Sequence, residues 1–295
     1  MNILVTGASG FIGQNLVVKL LSLKHNVITL DLKQNITNTK HYQIDITNFN
    51  ELMSIQDDID IIYHLAAQSY GKGSIIDPDL DLNCNIKGTL NICRFAELKS
   101  IKKIIYTSSM AVYGNKEISI ENDLPAPLSN YGVSKLAGEY YIKKCLIPYS
   151  IFRLYNTYGP GQDLTNESKG IVSAFVTQII KGTNTIEVTG SLERYRDIIF
   201  IDDVIDALLL GLNNNTNNET FNISTNQKTT IAELINTIID ISNKKNIEVL
   251  NIGGFAGDQF GNVGNNTKLK SLGWIPKVSL YEGIQKFYNY CLGKL

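Results

Sequence analysis

Apolar residues in the first half of the chain fall into two alternating patterns. Four short, mainly apolar runs have the length of buried strands, at residues 3–5, 27–30, 59–65 and 104–108. Three longer stretches carry apolar residues at helical spacing, at residues 11–23, 85–98 and 134–145. Strands that alternate with helices indicate an α/β fold with a Rossmann-type doubly wound parallel sheet, whose ligands bind at the carboxyl ends of the strands.

The alternation becomes less regular after about residue 156. A helix is predicted over residues 171–180, a strand over 198–201 and a helix over 204–212, whereas the Asn-rich stretch 213–218 is predicted to be a polar surface loop. Thr229 or Thr230, with Glu233 close behind, predicts a capped helix start. The length of 295 residues exceeds what one compact core usually takes. We therefore predict a first domain over residues 1–156, to which the strand and helix near 196–225 return, and a smaller C-terminal α/β domain over residues 157–295.

The overall composition argues against several classes of function. The net charge of −1 gives no strong field for holding nucleic acid or an anionic membrane. No apolar run approaches the roughly 20 residues of a membrane span, and the N-terminus lacks the basic start and apolar core of a signal peptide. None of the four cysteines has metal-ligand spacing, so we predict no metal site and four free thiols in a reducing cytoplasm.

Glycines mark the junction of the first strand and the first helix. Gly7, Gly10 and Gly13 permit a tight turn and let backbone amides approach a pyrophosphate, to which the helix N-terminus adds partial positive charge. Asp31 follows at the end of the second strand, where a carboxylate accepts hydrogen bonds from adenosine ribose hydroxyls and repels a 2′-phosphate. This pattern predicts an NAD-binding domain and favours NAD over NADP. Farther along, Asp45 and Ile46 are candidates for contacts with the adenine amino group and ring.

A tyrosine and a lysine four residues apart carry the candidate chemistry. Tyr131 and Lys135 share one face of a predicted helix. A neighbouring ammonium and a positive nicotinamide ring both favour the phenolate, so we expect the pKa of Tyr131 to fall and the phenol to act as a base. Ser109 ends a predicted strand and is placed to share the hydrogen bond to the reacting hydroxyl.

At this point the sequence resembles the extended short-chain dehydrogenases, specifically the NAD-dependent nucleoside-diphosphate-sugar epimerases and dehydratases. The resemblance covers nearly the whole chain and follows ordered motifs beyond the glycine loop. They are His64-Leu-Ala-Ala67, Asn85-Ile-Lys-Gly-Thr89, Ser108-Ser109 with Val112-Tyr113-Gly114, Tyr131-Gly-Val-Ser-Lys135, Arg153-Leu-Tyr-Asn-Thr-Tyr-Gly-Pro160, Arg196-Asp197 with Asp202-Asp203-Val204, and Leu272-Gly-Trp-Ile-Pro276.

The resemblance implies roles for individual residues. Ser109, Tyr131 and Lys135 match the catalytic positions. Residues implied to line the cofactor are Phe11, Ile12, Leu65, Ala66, Ala67, Asn85 and Tyr155, in addition to Tyr131 and Lys135. Residues implied to bind the nucleoside-diphosphate sugar are Ser69, Ser109, Asn156, Lys169, Val172, Arg196, Asp258 and Gln259. An arginine such as Arg196 suits a diphosphate because its planar fork bonds phosphate oxygens bidentately.

Differences within this family narrow the reaction. Dehydratases carry an acidic pair after the catalytic hydroxyl, where this chain has Met110 and Ala111. Epimerase-reductases use a Cys and a His, whereas the three histidines here all lie in the first 64 residues. The remaining reaction is 4-epimerisation through a transient 4-keto sugar with tightly bound NAD. A one-way 4-dehydrogenase or 4-ketosugar reductase stays as the alternative, and a non-catalytic dinucleotide sensor is disfavoured because Tyr131 and Lys135 are both present.

The chain departs from the family pattern in the C-terminal segment that binds the nucleotide. The family usually places an Arg two residues before a Gly-Asp pair, and here Phe255 precedes Gly257-Asp258. We expect Gln259 or Lys169 to compensate for the missing guanidinium, and Phe255 or Phe260 to stack on the base. Relatives usually dimerise through the helices at about residues 85–98 and 134–145, which implies a homodimer.

Overall fold

A seven-stranded sheet forms the largest layer of the computed structural model, which describes residues 1–34, 37–165, 170–253 and 260–295. The order of its strands is β12-β7-β5-β4-β1-β2-β3. They are β1 (Asn2–Thr6), β2 (Asn26–Asp31), β3 (Lys40–Gln43), β4 (Ile61–His64), β5 (Lys103–Ser109), β7 (Tyr149–Leu154) and β12 (Glu219–Ile223). Each pairing from β7 across to β3 is parallel. The Rossmann-type sheet predicted from the alternating pattern is confirmed.

Strand order reverses beside β1, because β2 lies on one side of it and β4 on the other. Such a reversal is the place where a doubly wound sheet binds its ligand, at the carboxyl ends of the strands. The register places Thr6 opposite Leu30 on β2 and opposite His64 on β4. The ends of these three strands therefore carry the loops that matter for function.

Helices complete this part of the chain. They are α1 (Phe11–Ser22), α2 (Phe49–Met53), α3 (Gly71–Ile76), α4 (Pro78–Leu82), α5 (Thr89–Leu98) and α6 (Asn130–Lys144). A single π-helical turn, Asn83–Gly88, joins α4 to α5. One core cluster packs strand residues such as Leu4, Ile62 and Ile104 against Phe95 and Ile142 of the helices. The Ser129 hydroxyl caps α6 by accepting from Gly132 N, so that helix begins four residues before the predicted start.

The chain divides into two compact units. The first contains Met1–Gly114, Leu124–Leu154 and Ile205–Phe221, and the second contains Asn115–Asp123, Tyr155–Val204 and Asn222–Leu295. Strands of the second unit form two-stranded sheets: β6 (Ile118–Ser119) with β15 (Val263–Gly264), β8 (Asn156–Tyr158) with β11 (Ile198–Phe200), β9 (Thr185–Val188) with β14 (Glu248–Asn251), and β10 (Tyr195–Arg196) with β13 (Thr229–Thr230). The helices are α7 (Ile171–Ile180), α8 (Ile201–Leu209, which starts in this unit), α9 (Ile231–Ser242), α10 (Thr267–Lys270) and α11 (Leu280–Leu292).

Two local predictions in the second half have different outcomes. Thr230 caps α9 by accepting from Glu233 N at 3.0 Å, as the capping pattern predicts. The surface-loop prediction for residues 213–218 is wrong at Thr216, which is fully buried in a short 3₁₀ turn. The buried Lys103 ammonium donates to Asn213 O and Thr216 Oγ1, both at 2.9 Å. This polar turn is thus hydrogen-bonded to Lys103 of β5, which is distant in the chain, so no local sequence pattern could indicate its burial.

Candidate active site

The glycine loop lies between β1 and α1, and its backbone leaves no room for a Cβ at Gly7 or Gly13. Gly7 has φ +70°, and a Cβ there would lie 2.6 Å from Ala66 N at the end of β4. A Cβ on Gly13 would lie 2.1 Å from Gly7 O. Within the described residues no side chain caps the N-terminus of α1, where Gly10 is the N-cap. Backbone amides and the helix dipole therefore provide the polar lining of this loop.

Asp31 ends β2 as the sequence predicts and shapes the same loop. Its carboxylate accepts from Ser9 N at 2.9 Å and from Lys33 N at 3.0 Å, and the residue is half-buried. A carboxylate here suits ribose hydroxyls and opposes a 2′-phosphate. Together with the uncapped helix start and the side-chain-free glycines, it makes a site that fits NAD. The N-terminal residues of α1, Phe11 and Ile12, are half-buried beside the loop.

The segment after β4 is fixed by buried polar contacts. Ala66 N donates to Thr6 Oγ1 at 3.2 Å, and Leu65 and Ala67 on either side are half-buried. Asn85, at 1 % exposure in the π-helical turn, accepts from Gln68 N at 2.9 Å and donates to Ser134 Oγ at 3.0 Å. Asn85 therefore links this segment to α6 by hydrogen bonds. The cofactor motif alone did not reveal this structural role.

The two residues that are predicted to contact adenine, Asp45 and Ile46, make structural contacts within the protein. Asp45 Oδ1 accepts from Thr47 N at 2.8 Å and so closes a local turn. Ile46 is 6 % exposed in the core, where its Cδ1 fills the space that a Cβ on Gly88 would need. An adenine contact by these two residues stays a prediction, and for Ile46 the core packing already explains its side chain.

The three predicted catalytic residues lie together at the carboxyl end of β5. Ser109 is the last residue of that strand, and its hydroxyl is close enough to Tyr131, in the first turn of α6, to oppose the rise in the pKa of the phenol. Lys135 follows one turn later and is 3 % exposed, with Nζ 4.3 Å from the centroid of the Tyr106 ring. The helical i, i+4 placement of Tyr131 and Lys135 is therefore as the sequence predicts.

Protonation of this pair differs from the expectation. Burial raises the pKa of Tyr131 to about 12, against the lowering effect of the Ser109 hydroxyl. Burial lowers the pKa of Lys135 to about 7, although the carboxylates of Glu139 and Asp81 oppose that change. The expected fall in the Tyr131 pKa is thus wrong for the chain's own groups, because desolvation outweighs them. The lysine, not the tyrosine, titrates near neutrality.

An ion pair that sequence reasoning missed holds the catalytic helix to the sheet. Arg153 of β7 donates from Nε and Nη2 to the two carboxylate oxygens of Glu139, at 2.8 and 2.7 Å. Ser108 Oγ donates to the same carboxylate at 2.6 Å. Burial raises the pKa of Glu139, but these partners outweigh it and hold the pKa below its usual value. The available signal was spacing, since Tyr131, Lys135 and Glu139 follow at four-residue intervals.

The second unit contains the other predicted binding residues that the structure describes. Tyr155 and Val172 are buried, and Asn156 Nδ2 donates to Asp197 O at 2.9 Å. Arg196 donates from Nη1 to Tyr195 O at 2.7 Å and to Phe260 O at 3.3 Å. Burial and then the nearby Arg194 lower the Arg196 pKa to about 10, so the guanidinium stays charged at neutral pH.

Asp197 organises the segments around Arg196 and was not singled out by the sequence. It is fully buried and accepts from Thr225 N, Asn226 N and Gly264 N at 2.8, 3.0 and 3.2 Å. Three backbone N–H groups from two segments of the chain therefore converge on one carboxylate. The only signal in the sequence was the position of this acid directly after the candidate Arg196, because its burial is visible only in the structure.

Some predicted residues receive no structural support of this kind. Lys169, Asp258 and Gln259, with the substituted Phe255, lie outside the described residues. Ser69 is exposed, and nothing around it marks it as a ligand contact. Within the described ranges, no group of three or more His, Cys, Asp or Glu side chains could hold a metal ion, and no helix has the length and hydropathy to cross a bilayer.

The parallel sheet, the glycine loop, Asp31 and the group of Ser109, Tyr131 and Lys135 define a dinucleotide-dependent enzyme of the short-chain dehydrogenase type. The chain belongs to the NAD-dependent epimerase/dehydratase family, whose model matches residues 3–224. It is accordingly an NAD-dependent enzyme.

Individual relatives resemble the chain over nearly its full length. A putative UDP-glucose 4-epimerase of Methanocaldococcus jannaschii is 34% identical, over 98% of this chain and 97% of the relative. A UDP-glucose 4-epimerase of Mycolicibacterium smegmatis is 31% identical, over 100% of this chain and 99% of the relative. The crystal structure of UDP-glucose 4-epimerase with UDP-glucose from Thermotoga maritima superposes with a TM-score of 0.92 at 31% identity, covering 100% of this chain and 99% of that one.

Proposed function

We propose that the enzyme is a nucleotide-sugar 4-epimerase that acts on UDP-hexoses. The observation that carries the proposal is the Ser109, Tyr131 and Lys135 group with two non-acidic residues, Met110 and Ala111, directly after Ser109. Ala111 N is bonded to Ser109 Oγ at 3.2 Å, so this turn orients the hydroxyl and contributes no carboxyl to eliminate water. The UDP-glucose 4-epimerases that resemble the chain over its whole length support the same reaction.

When bound, NAD supplies a nicotinamide ring that accepts a hydride from the sugar and returns it. Tyr131 Oη takes the proton of the sugar 4-hydroxyl and later gives it back, while the Ser109 hydroxyl orders that hydrogen bond. The buried Lys135 ammonium favours the phenolate, and its pKa of about 7 keeps it partly charged at neutral pH. The sugar is a 4-ketone between the two transfers, and it must turn over before the hydride returns to the opposite face.

Arg196 is our candidate for binding the substrate diphosphate. Its Nη1 is already anchored by two backbone carbonyls, which limits the motion of a planar group with five N–H donors. A guanidinium held in this way presents its charge with little entropic cost to a phosphate. We include Asn156 and Val172 as candidate substrate contacts and Tyr155 as a candidate cofactor contact.

We also propose a homodimer that uses the outer faces of α5 and α6. Apolar side chains are exposed on or next to these helices: Leu98, Val133, Tyr140, Tyr141 and Leu146. Burying such side chains against a second copy would stabilise the pair. Light scattering on wild type and on Tyr140→Glu tests this, since the dimer predicts a shift to monomer and an unshifted mass contradicts it. The four free cysteines support a reducing, cytoplasmic setting.

Proton NMR on the protein as purified, with no cofactor added, tests the reaction. UDP-glucose, UDP-N-acetylglucosamine and UDP-glucuronic acid are incubated separately, and the anomeric signals are followed. The proposal predicts a stable mixture of two 4-epimers from at least one sugar and none with Tyr131→Phe. Accumulation of reduced nicotinamide or of a ketone would instead show the one-way oxidoreductase, which uses the same three residues.

A further inference from the structure

A buried carboxylate that the mechanism above does not use lies beside the catalytic lysine. Asp81 of α4 is 2 % exposed, whereas Asp79, two residues earlier in the same short helix, is exposed. A carboxylate is seldom buried without partners that offset its loss of water. The partners of Asp81 therefore indicate what its burial serves.

Those partners are side chains of the catalytic region. Asp81 Oδ1 accepts from Asn85 Nδ2 at 3.0 Å, and the Ser134 hydroxyl is close enough to lower the pKa of the Asp81 carboxyl against the effect of burial. Asn85 Nδ2 also donates to Ser134 Oγ at 3.0 Å, so the Asn85 amide links Asp81 to Ser134. Because Ser134 precedes Lys135 and its hydroxyl donates to Tyr131 O at 3.0 Å, this chain of hydrogen bonds joins α4 to the turn of α6 that carries the candidate catalytic residues.

The negative charge of Asp81 also raises the pKa of Lys135. The titratable groups around Lys135 come from four elements: Tyr131 and Glu139 of α6, Asp81 of α4, His64 of β4 and Tyr106 of β5. Glu139 is already committed to its bidentate pair with Arg153. Among the residues that the structure describes, Asp81 forms no such ion pair. Its charge therefore remains to balance the buried ammonium.

We propose that Asp81 is a positioning residue for the reaction, which holds the Lys135 ammonium charged and fixes Asn85 against Ser134 of the catalytic helix. Its role in turnover rests on the proposed function, whereas its effect on the charge of Lys135 does not. An amide in place of the carboxylate keeps the shape and a hydrogen-bond acceptor but removes the charge. Asp81→Asn thus isolates the electrostatic part, and Asp79→Asn is the matched exposed control.

The first test is a carbon NMR titration of lysine side chains in the protein as purified, with the Lys135 signal assigned by its loss in Lys135→Met. The proposal predicts that Asp81→Asn lowers the Lys135 midpoint by about one pH unit, the low end of the effect of a nearby opposite charge. Asp79→Asn should titrate as wild type. An Asp81→Asn midpoint equal to that of wild type would overturn the proposal. Asp81→Ser, which is also uncharged, gives the same test if the amide variant does not fold.

The second test is the pH profile of turnover. Because Lys135 acts as a cation, its earlier deprotonation in Asp81→Asn should move the high-pH limb of kcat down by about one pH unit, with KM changed less than about twofold. Ser134→Ala keeps the charge and should leave that limb in place. A uniform loss of kcat with an unmoved limb would show a merely structural role. If no UDP-sugar is epimerised, the proposed function fails while the NMR titration still decides the role of Asp81.

Discussion

The two structural units hold their functional side chains in different ways. In the first unit, Tyr131 and Lys135 stand on a fifteen-residue helix that a buried ion pair ties to the central sheet. In the second unit, Arg196 stands on a two-residue strand and is oriented by backbone carbonyls. Proton and hydride transfer require placement within a fraction of an ångström, which rigid elements supply. Recognition of a flexible diphosphate tolerates shorter elements and loops.

If the first unit carries the chemistry, removing one oxygen there should have the largest effect. Tyr131→Phe is expected to lower kcat by roughly 10³-fold, the range for loss of a general acid–base group. Tyr140→Phe, on an exposed position of the same helix, is the control and should retain activity. Epimerisation rates by NMR and melting temperatures for both variants make the measurement. A Tyr131→Phe enzyme within tenfold of wild type would remove the tyrosine from the mechanism.

Loss of the buried ion pair between Glu139 and Arg153 should lower the free energy of unfolding of the protein. Arg153→Met leaves the Glu139 charge buried without its partner, and we expect unfolding to become easier by about 3–5 kcal/mol. The control is Lys102→Met, which breaks an ion pair with Asp60 whose lysine side chain is 76% exposed. Such a surface pair contributes at most about 1 kcal/mol. Urea denaturation compares the two, and equal losses would contradict the distinction between buried and exposed pairs.

The pH dependence of stability tests the packing of a buried histidine in the same unit. His64 is fully buried between Thr6 and Thr89, with ring nitrogens 2.9 and 3.0 Å from their hydroxyls. Burial, and then the charge of Lys135, lower its pKa to about 3, below the unfolded value of about 6.5. The neutral ring therefore contributes its full stability above pH ~6.5, and that contribution is lost as the pH falls toward 3.

Between pH 7 and pH 5 this loss should amount to about 2 kcal/mol of unfolding free energy. Denaturation at both pH values checks it in wild type and in His64→Gln, which should lose most of the difference. His25→Gln, at a more accessible position, should keep most of it. A His64→Gln protein with the wild-type pH dependence would show that other groups are responsible.

The smallest expected effect tests the second unit. Arg196→Lys retains the charge but removes the planar fork, so we expect KM for a UDP-sugar to rise about tenfold with kcat nearly unchanged. Arg94→Lys makes the same change at an exposed position of α5 and should leave both constants alone. A fall in kcat without a change in KM would mean that Arg196 acts in the chemistry and would weaken the contrast between the units.

The sequence predicted the parts of the molecule that local patterns determine. Apolar runs located four of the seven strands of the sheet, β1, β2, β4 and β5, but not β3, β7 or β12. The spacing of Gly7, Gly10 and Gly13 located the loop that follows β1. The Tyr131 and Lys135 spacing located two catalytic residues on one helical face. Each of these features depends on residues close together in the chain, so periodicity was sufficient to find it.

Contacts between distant segments could not be predicted in this way. Glu139 pairs with Arg153 across a helix and a strand, and Thr216 is buried because Lys103 reaches it from β5. For the chain's own groups the expected direction of the Tyr131 pKa was wrong, because burial is set by the tertiary structure and the sequence shows only the neighbouring lysine. The part of the expectation that rests on the nicotinamide ring stays a prediction. Asp81 went unnoticed for the same reason, since its partners belong to other elements.

The most direct measurement of the central claim uses UDP-glucose with deuterium at C4 in ordinary water. Oxidation and re-reduction at one carbon, with the cofactor retained, predict that the 4-epimer keeps its deuterium at C4. The position of the label is read by NMR and mass spectrometry at equilibrium. Loss of deuterium to solvent, its appearance at another carbon, or its release in reduced cofactor would contradict a 4-epimerase that carries its own NAD through each cycle.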